Sequence, residues 1–300
     1  MPITKLDQML DALRNMPRKK LVAAAANDGH TIEAVKNAVD AGIVEAILVG
    51  DEAAILEVCK KDGIDPGIFK IINEPAEARA ASRAVAMIKA GEGDILMKGS
   101  LSTDKYMRAI LNKEQGLMEP GAILSHITVV ENPRYHKLLV VGDVAVIPAP
   151  ELKEKTAILN YLINTAKALR IETPKVAIIA ASEQVLPKMQ ACVDAAILAK
   201  MGDRGQIKGA VIDGPLALDV AVDRESADIK GLKSQVTGDA DCLLFPNIDS
   251  GNVFYKSMTK LAGCETGAVV AGAKSPCILS SRGDSVKSKL YSIALAALTA

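Results

Sequence analysis

Apolar runs of strand length alternate with amphipathic stretches along the whole chain. Residues 21–26 form the first run, and the polar Asn27-Asp28-Gly29 stops it. Residues 31–40 then place Ile32, Val35 and Val39 at spacings of three and four, the period of a helix face. The rhythm continues with strand candidates at 46–49, 69–72 and 95–97. Helices are expected at 52–61 and from Pro75 to about residue 90, proline being tolerated in a first helical turn. In the second half, residues 123–130, 137–141, 175–180, 209–212, 242–245, 267–271 and 277–279 read as strands. Helices are expected at 152–169, 188–201, 253–261 and 286–298. This alternation predicts an α/β protein with mostly parallel strands. The apolar content is Ala, Val, Ile and Leu, the usual filling of a sheet covered on both faces.

Composition narrows the picture. The chain has 300 residues, which suggests about two domains of roughly 100–200 residues each. No low-complexity linker or short-period repeat marks a boundary; the stretches 116–121 and 263–267 are the candidate crossings. With 36 Lys+Arg against 36 Asp+Glu, and only five Tyr, three Phe and no Trp, a nucleic-acid binder is not expected. A polybasic membrane-surface protein is excluded on the same ground. No apolar run approaches the ~18–20 residues of a membrane span. The basic N-terminal stretch is followed by only six apolar residues, too few for a signal peptide, so a cytoplasmic protein is expected. The five cysteines form no CxxC pair and are expected to be reduced and mostly buried. No metal site is expected, because His30, His126 and His136 share no ligand spacing.

Open α/β sheets bind ligands beyond the carboxyl ends of their strands, so chemistry is sought in the turns after strands. The segment Cys277 to Ser285 runs from an apolar strand through Ser280-Ser281-Arg282-Gly283-Asp284 into a helix. Arg282 near the positive end of that helix is unfavourable unless an anion joins it, and a bound phosphate or acyl phosphate supplies one. The plainer alternative is a turn in which Asp284 or Ser285 caps the helix and Arg282 meets a surface acid. A second turn, Lys98-Gly99-Ser100-Leu101-Ser102-Thr103, gathers a cation and three hydroxyls beside a glycine, with Arg108 on the helix that follows. It suits an anion, and equally a capped helix with solvated cations. In the segment from Phe245 to Lys256, a helix starting near Ser250 puts Asn252 and Lys256 on one face. Here the alternative is Asp249 or Ser250 as the cap and an exposed Lys256. Asp213-Gly214-Pro215 reads as a further strand-end turn. GxGxxG after a strand, GxxxxGK[ST], GxSxG and HExxH are all lacking.

Taken together, KGSLSTDKYMRAIL (98–111), VDAAILAKMGDRGQIKGAVIDGPLALDVAV (193–222), CLLFPNIDSGNVFYKSM (242–258) and ILSSRGDSVKSKLYSIALAAL (278–298) resemble the phosphate acetyltransferase/phosphate butyryltransferase family. The DGPLALD and KLYSIALA forms resemble the butyryl branch more. The resemblance covers about residue 98 to the C-terminus. It implies reversible transfer of a short acyl group, butyryl or similar, between coenzyme A and inorganic phosphate, with no tightly bound cofactor. It implies a two-domain, three-layer αβα architecture with mostly parallel sheets, like isocitrate and isopropylmalate dehydrogenases, and an active site in the interdomain cleft. The domains expected are residues 1–120 with 268–300, and residues 121–267. A homodimer and a carboxylate kinase acting in sequence are also implied. Carried onto this chain, Ser281 and Arg282 lie at the reacting centre and Arg108 binds phosphate. Lys98, Ser100, Ser102, Thr103, Asn252 and Lys256 are the further substrate-binding candidates. Where the family has an acid seven residues after the serine, this chain has Ser288. Asp284 and Asp249 are the substitutes the sequence offers for the base, and the alternative is that nearby cations alone lower the thiol's pKa. The rival readings are an acetyl-preferring enzyme, an isocitrate-type dehydrogenase and a non-catalytic sensor of coenzyme A or phosphate.

Overall fold

The computed structural model describes residues 1–280 and 283–300. The chain divides into two compact units, residues 6–124 with 267–300, and residues 125–266 with 1–5. From the start of the chain come α1 (Asp7–Leu13), β1 (Lys19–Ala24), α2 (Gly29–Asp40), β2 (Val44–Gly50), α3 (Glu52–Lys61), β3 (Phe69–Asn73), α4 (Glu77–Lys89), β4 (Ile95–Lys98) and α5 (Thr103–Ile110). The central block holds β5 (Ser125–Glu131), β6 (Leu139–Gly142), α6 (Leu152–Ala168), β7 (Lys175–Ile179), α7 (Gln190–Asp203), β8 (Val211–Leu216), α8 (Leu218–Val222), α9 (Arg224–Ile229), β9 (Cys242–Leu244) and α10 (Ile248–Lys256). The chain ends with β10 (Glu265–Ala271), β11 (Cys277–Ile278) and α11 (Val286–Thr299).

In the unit built from both ends of the chain, strands run in the order β3-β2-β1-β4-β11-β10. All neighbours are parallel except β10 and β11. The register is continuous: Leu21 lies beside Ala46 on one side and Ile95 on the other. Leu21, Val22, Ala23 and Ala24 are buried, as is all of β4, so these strands are apolar on both faces. Helices supply the cover. In α2, Ile32, Ala34, Val35 and Ala38 face inward, and Asp28 caps the helix by accepting from the Thr31 N–H at 2.9 Å. Asp51 caps α3 in the same way through the Ala54 N–H.

In the other unit the order is β5-β6-β9-β7-β8, parallel except for β5 against β6. Its core packs Val130, Val141, Ala177, Leu216, Leu243 and Phe245 together. Fully burying a Val, Leu or Phe side chain contributes ~1.5–3 kcal/mol, and this is what holds the layers.

Some elements depart from the sequence reading. β8 runs on through Asp213, Gly214 and Pro215 to Leu216, where a turn was expected. Proline lacks an N–H for the ladder, but β8 is the last strand of its unit's order, and the register against β7 shifts between Ala177 and Ile179. Pro75 stands outside α4, which begins after Ala76. The helix carrying Asn252 starts at Ile248 with Asn247 as its cap, not at Asp249 or Ser250; the Asn247 side chain accepts from the Ser250 N–H at 3.0 Å. α1 escaped the pattern reading because it is short, although Met9 and Leu13 are buried at helical spacing. Its Asp7 accepts from the Tyr291 hydroxyl of α11 at 2.5 Å.

Candidate active site

The carboxyl ends of β1, β4 and β11 converge in one unit, and the sequence there forces close packing. The Gly99 N–H donates to the Ala24 carbonyl at 2.8 Å, and the Ser100 N–H to the Ala25 carbonyl at 2.9 Å. A Cβ on Gly99 would lie 2.3 Å from the Ala25 oxygen, so only glycine fits. Ala25 itself has φ +52°, a left-handed conformation that costs a non-glycine residue about 1–2 kcal/mol. Its carbonyl also accepts from the Asn27 N–H and the Ser100 hydroxyl, which hold it there. Backbone strain of this kind, over-determined by its neighbours, is a feature of ligand sites.

Lys98 ends β4 and is buried, at 4% exposure. Its ammonium donates to the Gly99 carbonyl at 3.2 Å and the Ser280 carbonyl at 3.4 Å. Ser280 also accepts at its hydroxyl, from Lys289 Nζ at 3.0 Å. Lys289 rises from α11 and is as buried as Lys98. Burial lowers its pKa, while Asp28 and Asp284 draw it back up. Beside these groups lies a cavity of about 570 Å³, bordered by Asp28, Glu33, Lys61, Gly99, Ser100 and Lys289.

The candidates from the sequence fall into distinct situations. Lys98, Ser100 and Asp284 gather around Ser280 and this cavity. Ser102 is the cap of α5, its hydroxyl accepting from the Lys105 N–H at 3.3 Å, and Thr103 begins that helix. Arg108 is exposed in the last turn of α5 and pairs with Asp104 at 3.0 Å. Such an exposed pair is worth roughly 0.3–0.5 kcal/mol and exchanges readily for a better anion. Asn252 and Lys256 belong to the other unit. The Asn252 amide donates to the Val144 carbonyl at 2.9 Å, and Lys256 lies over the Tyr255 ring at 5.0 Å. Ser281 and Arg282 lie outside the described residues.

Two groups were missed from sequence: Ser280 and Lys289. A signal for the lysine existed, because Lys289, Ser292, Ile293 and Ala296 share the buried face of α11 at spacings of three, four and seven. Ser288 is taken up by the cap of α11: its N–H and hydroxyl both meet the Ser285 hydroxyl, at 3.0 and 3.2 Å. Cys277 is core. Burial pushes its thiol up to about 12, only partly offset by a hydrogen bond with Tyr106, so it is no nucleophile at neutral pH. Among the described residues, no group of three or more His, Cys, Asp and Glu could hold a metal ion. No helix among the described residues is long and apolar enough to cross a membrane.

A layered α/β fold with ligand groups at strand ends defines a broad class of small-molecule enzymes. Its reach is visible in a 4-hydroxythreonine-4-phosphate dehydrogenase from Salmonella typhimurium, described as putative, which shares the fold at TM-score 0.59 and 15% identity over 95% of this chain and all of that one. The phosphate acetyl/butaryl transferase family model matches residues 73–297, and the chain belongs to that family of acyltransferases. It is 45% identical over 298 residues to the phosphate butyryltransferase of Clostridium acetobutylicum, covering 99% of each chain. It is 40% identical over 294 residues to the phosphate acetyltransferase of Thermotoga maritima, covering 97% of this chain and 99% of that one. Among solved structures, a branched-chain phosphotransacylase from Enterococcus faecalis is similar at TM-score 0.81 and 28% identity, covering 93% of this chain and 99% of that one.

Proposed function

We propose that this protein transfers a short acyl group, butyryl or similar, reversibly between coenzyme A and inorganic phosphate. The observation that carries the reading is the grip on Ser280. Two buried ammoniums meet this one residue beside a cavity, directly before Ser281 and Arg282.

In the direction of acyl-CoA synthesis, the coenzyme A thiolate attacks the acyl phosphate carbonyl carbon. The C–S bond forms, the C–O bond to phosphate breaks, and phosphate leaves with the electron pair. Arg282 and Arg108 meet the phosphate charge, and Ser281 donates to the carbonyl oxygen or the sulfur. A free thiol has pKa ~8.5 and is only a few per cent ionised at pH 7, so a proton acceptor accelerates the step. Asp284 is the acid of the same turn and takes that proton. Lys98, Ser100, Ser102 and Thr103 line the approach of the anion, and Asn252 and Lys256 hold coenzyme A. Transfer is direct within one ternary complex, with no acylated enzyme. No cofactor is bound tightly.

The protein acts as a homodimer in the cytoplasm, in sequence with a carboxylate kinase. Ile229, Val253 and Leu261 are among the most exposed large apolar side chains of the 125–266 unit, and association would cover such surface. The test is to incubate purified protein with C2 to C5 acyl-CoAs and phosphate and to follow free thiol. Phosphate-dependent thiol release is expected to peak at C4. A peak at C2 would reassign the protein as an acetyltransferase, and no release with any of them would sink the reading.

A further inference from the structure

Ser280 and Lys289 are buried polar groups of this site to which the transfer chemistry assigns no direct task. The lysine stands where an ammonium is costly. It is 4% exposed, so it has lost most of its hydration. It also lies near the start of α11, the positive end of the helix dipole. Asp28 at the cap of α2 and Asp284 ahead of α11 offset part of this cost, and burial still dominates its pKa. Lys98 approaches Ser280 from β4, and Glu33 and Lys61 border the same cavity. A methionine would pack on that face of α11 with neither penalty, so packing alone does not ask for a charge. What the lysine adds is a donor on the Ser280 hydroxyl at 3.0 Å.

Ser280 is thereby held at two points, its carbonyl by Lys98 and its hydroxyl by Lys289. Its carbonyl carbon is bonded to the nitrogen of Ser281. We propose that Lys289 is a positioning residue for the acyl transfer: by holding the Ser280 hydroxyl it fixes the backbone from which Ser281 and Arg282 depart. This inference rests on the acyltransferase reading, and it adds a residue that touches neither substrate.

The effect belongs in kcat, because a displacement of about 1 Å in reacting groups costs on the order of 100-fold while binding charges remain. The test compares wild type with Lys289→Met, Lys289→Arg, Ser280→Ala and the double variant Lys289→Met/Ser280→Ala. Each is first confirmed as folded by circular dichroism and thermal melting, then assayed with butyryl-CoA and phosphate. Lys289→Met is expected to lower kcat about 100-fold, with both KM values within about two-fold of wild type. Ser280→Ala should give a similar loss, and the double variant should be no worse than either single one. Lys289→Arg should recover about ten-fold relative to Lys289→Met, since the guanidinium still donates.

Full kcat in a folded Lys289→Met, or additive losses in the double variant, overturns the inference. A raised phosphate KM at intact kcat does so as well, since it makes Lys289 a ligand. If Lys289→Met does not fold, Ser280→Ala decides: full kcat in that variant overturns it. An inactive wild type sinks the acyltransferase reading itself, and this inference with it. An active wild type beside an equally active Lys289→Met sinks this inference alone.

Discussion

Both units bury lysine, and they do so differently. In the 125–266 unit, Lys155 of α6 meets Asp194 of α7 at 2.6 Å, with both side chains under a tenth exposed. Gln190 donates to the other oxygen of Asp194 at 2.7 Å, completing a closed helix-to-helix clamp. In the unit formed by both chain ends, Lys98 and Lys289 give hydrogen bonds to the oxygens of one serine next to a cavity. A lysine closed by a carboxylate ties helices together and has little attraction left for an anion. Lysines that donate to the oxygens of one serine instead fix the stretch of backbone that carries it. Burial alone therefore does not mark a functional lysine; the chemistry of its partner does.

Lys155→Met is expected to destabilise the protein by about 3–5 kcal/mol, because Asp194 is left buried without its cation. Adding Asp194→Leu should restore most of that loss, since an apolar pair of similar volume removes the stranded charge. Denaturant unfolding checks both, and kcat per folded molecule should stay at the wild-type level in each. A clamp variant that lowered kcat without lowering stability would erase the contrast between the units.

The next effect lies at the reacting turn. Arg282→Ala should lower kcat by about 100- to 1,000-fold, the usual loss when one donor to developing charge is removed. Its unfolding midpoint should stay near wild type. Unaffected turnover in the thiol assay would mean the Ser-Arg turn is not the reacting centre. The smallest effect separates capping from binding at Ser102. If its hydroxyl only caps α5, Ser102→Ala costs about 1 kcal/mol of stability and leaves the phosphate KM unchanged. A several-fold rise in that KM is expected, because Ser102 also lines the approach of the anion, and an unchanged KM would leave it a cap alone.

The chain's periodicity was sufficient for the alternating strands and helices, since apolar runs such as Leu21 to Ala24 and Ile95 to Met97 are buried throughout. Where it failed, a local signal was misleading. Asp213-Gly214-Pro215 has turn chemistry, yet the edge position of β8 lets the strand run through it. Turns after strands pointed to Lys98, Ser100 and Asp284, which the structure places near Ser280 and the cavity. Lys289 was missed because it sits on the buried face of α11, and Ser280 stood in the reacting turn with no local sign of the two lysines that meet it. Arg108 shows the reverse: a strong motif position whose guanidinium is paired with Asp104 on its own helix.

The sequence by itself determined the element order, the family, and the placing of Lys98 at a strand end within a chain of zero net charge. Those features depend on local periodicity and on motifs of contiguous residues. Only the tertiary structure decided that Lys155 meets Asp194 and that Lys98 and Lys289 both meet Ser280. Lys98 and Ser280 lie 182 positions apart, and Lys155 and Asp194 lie 39 apart. Contacts at such separations are made by strand register and helix packing, and no local pattern of residues encodes them.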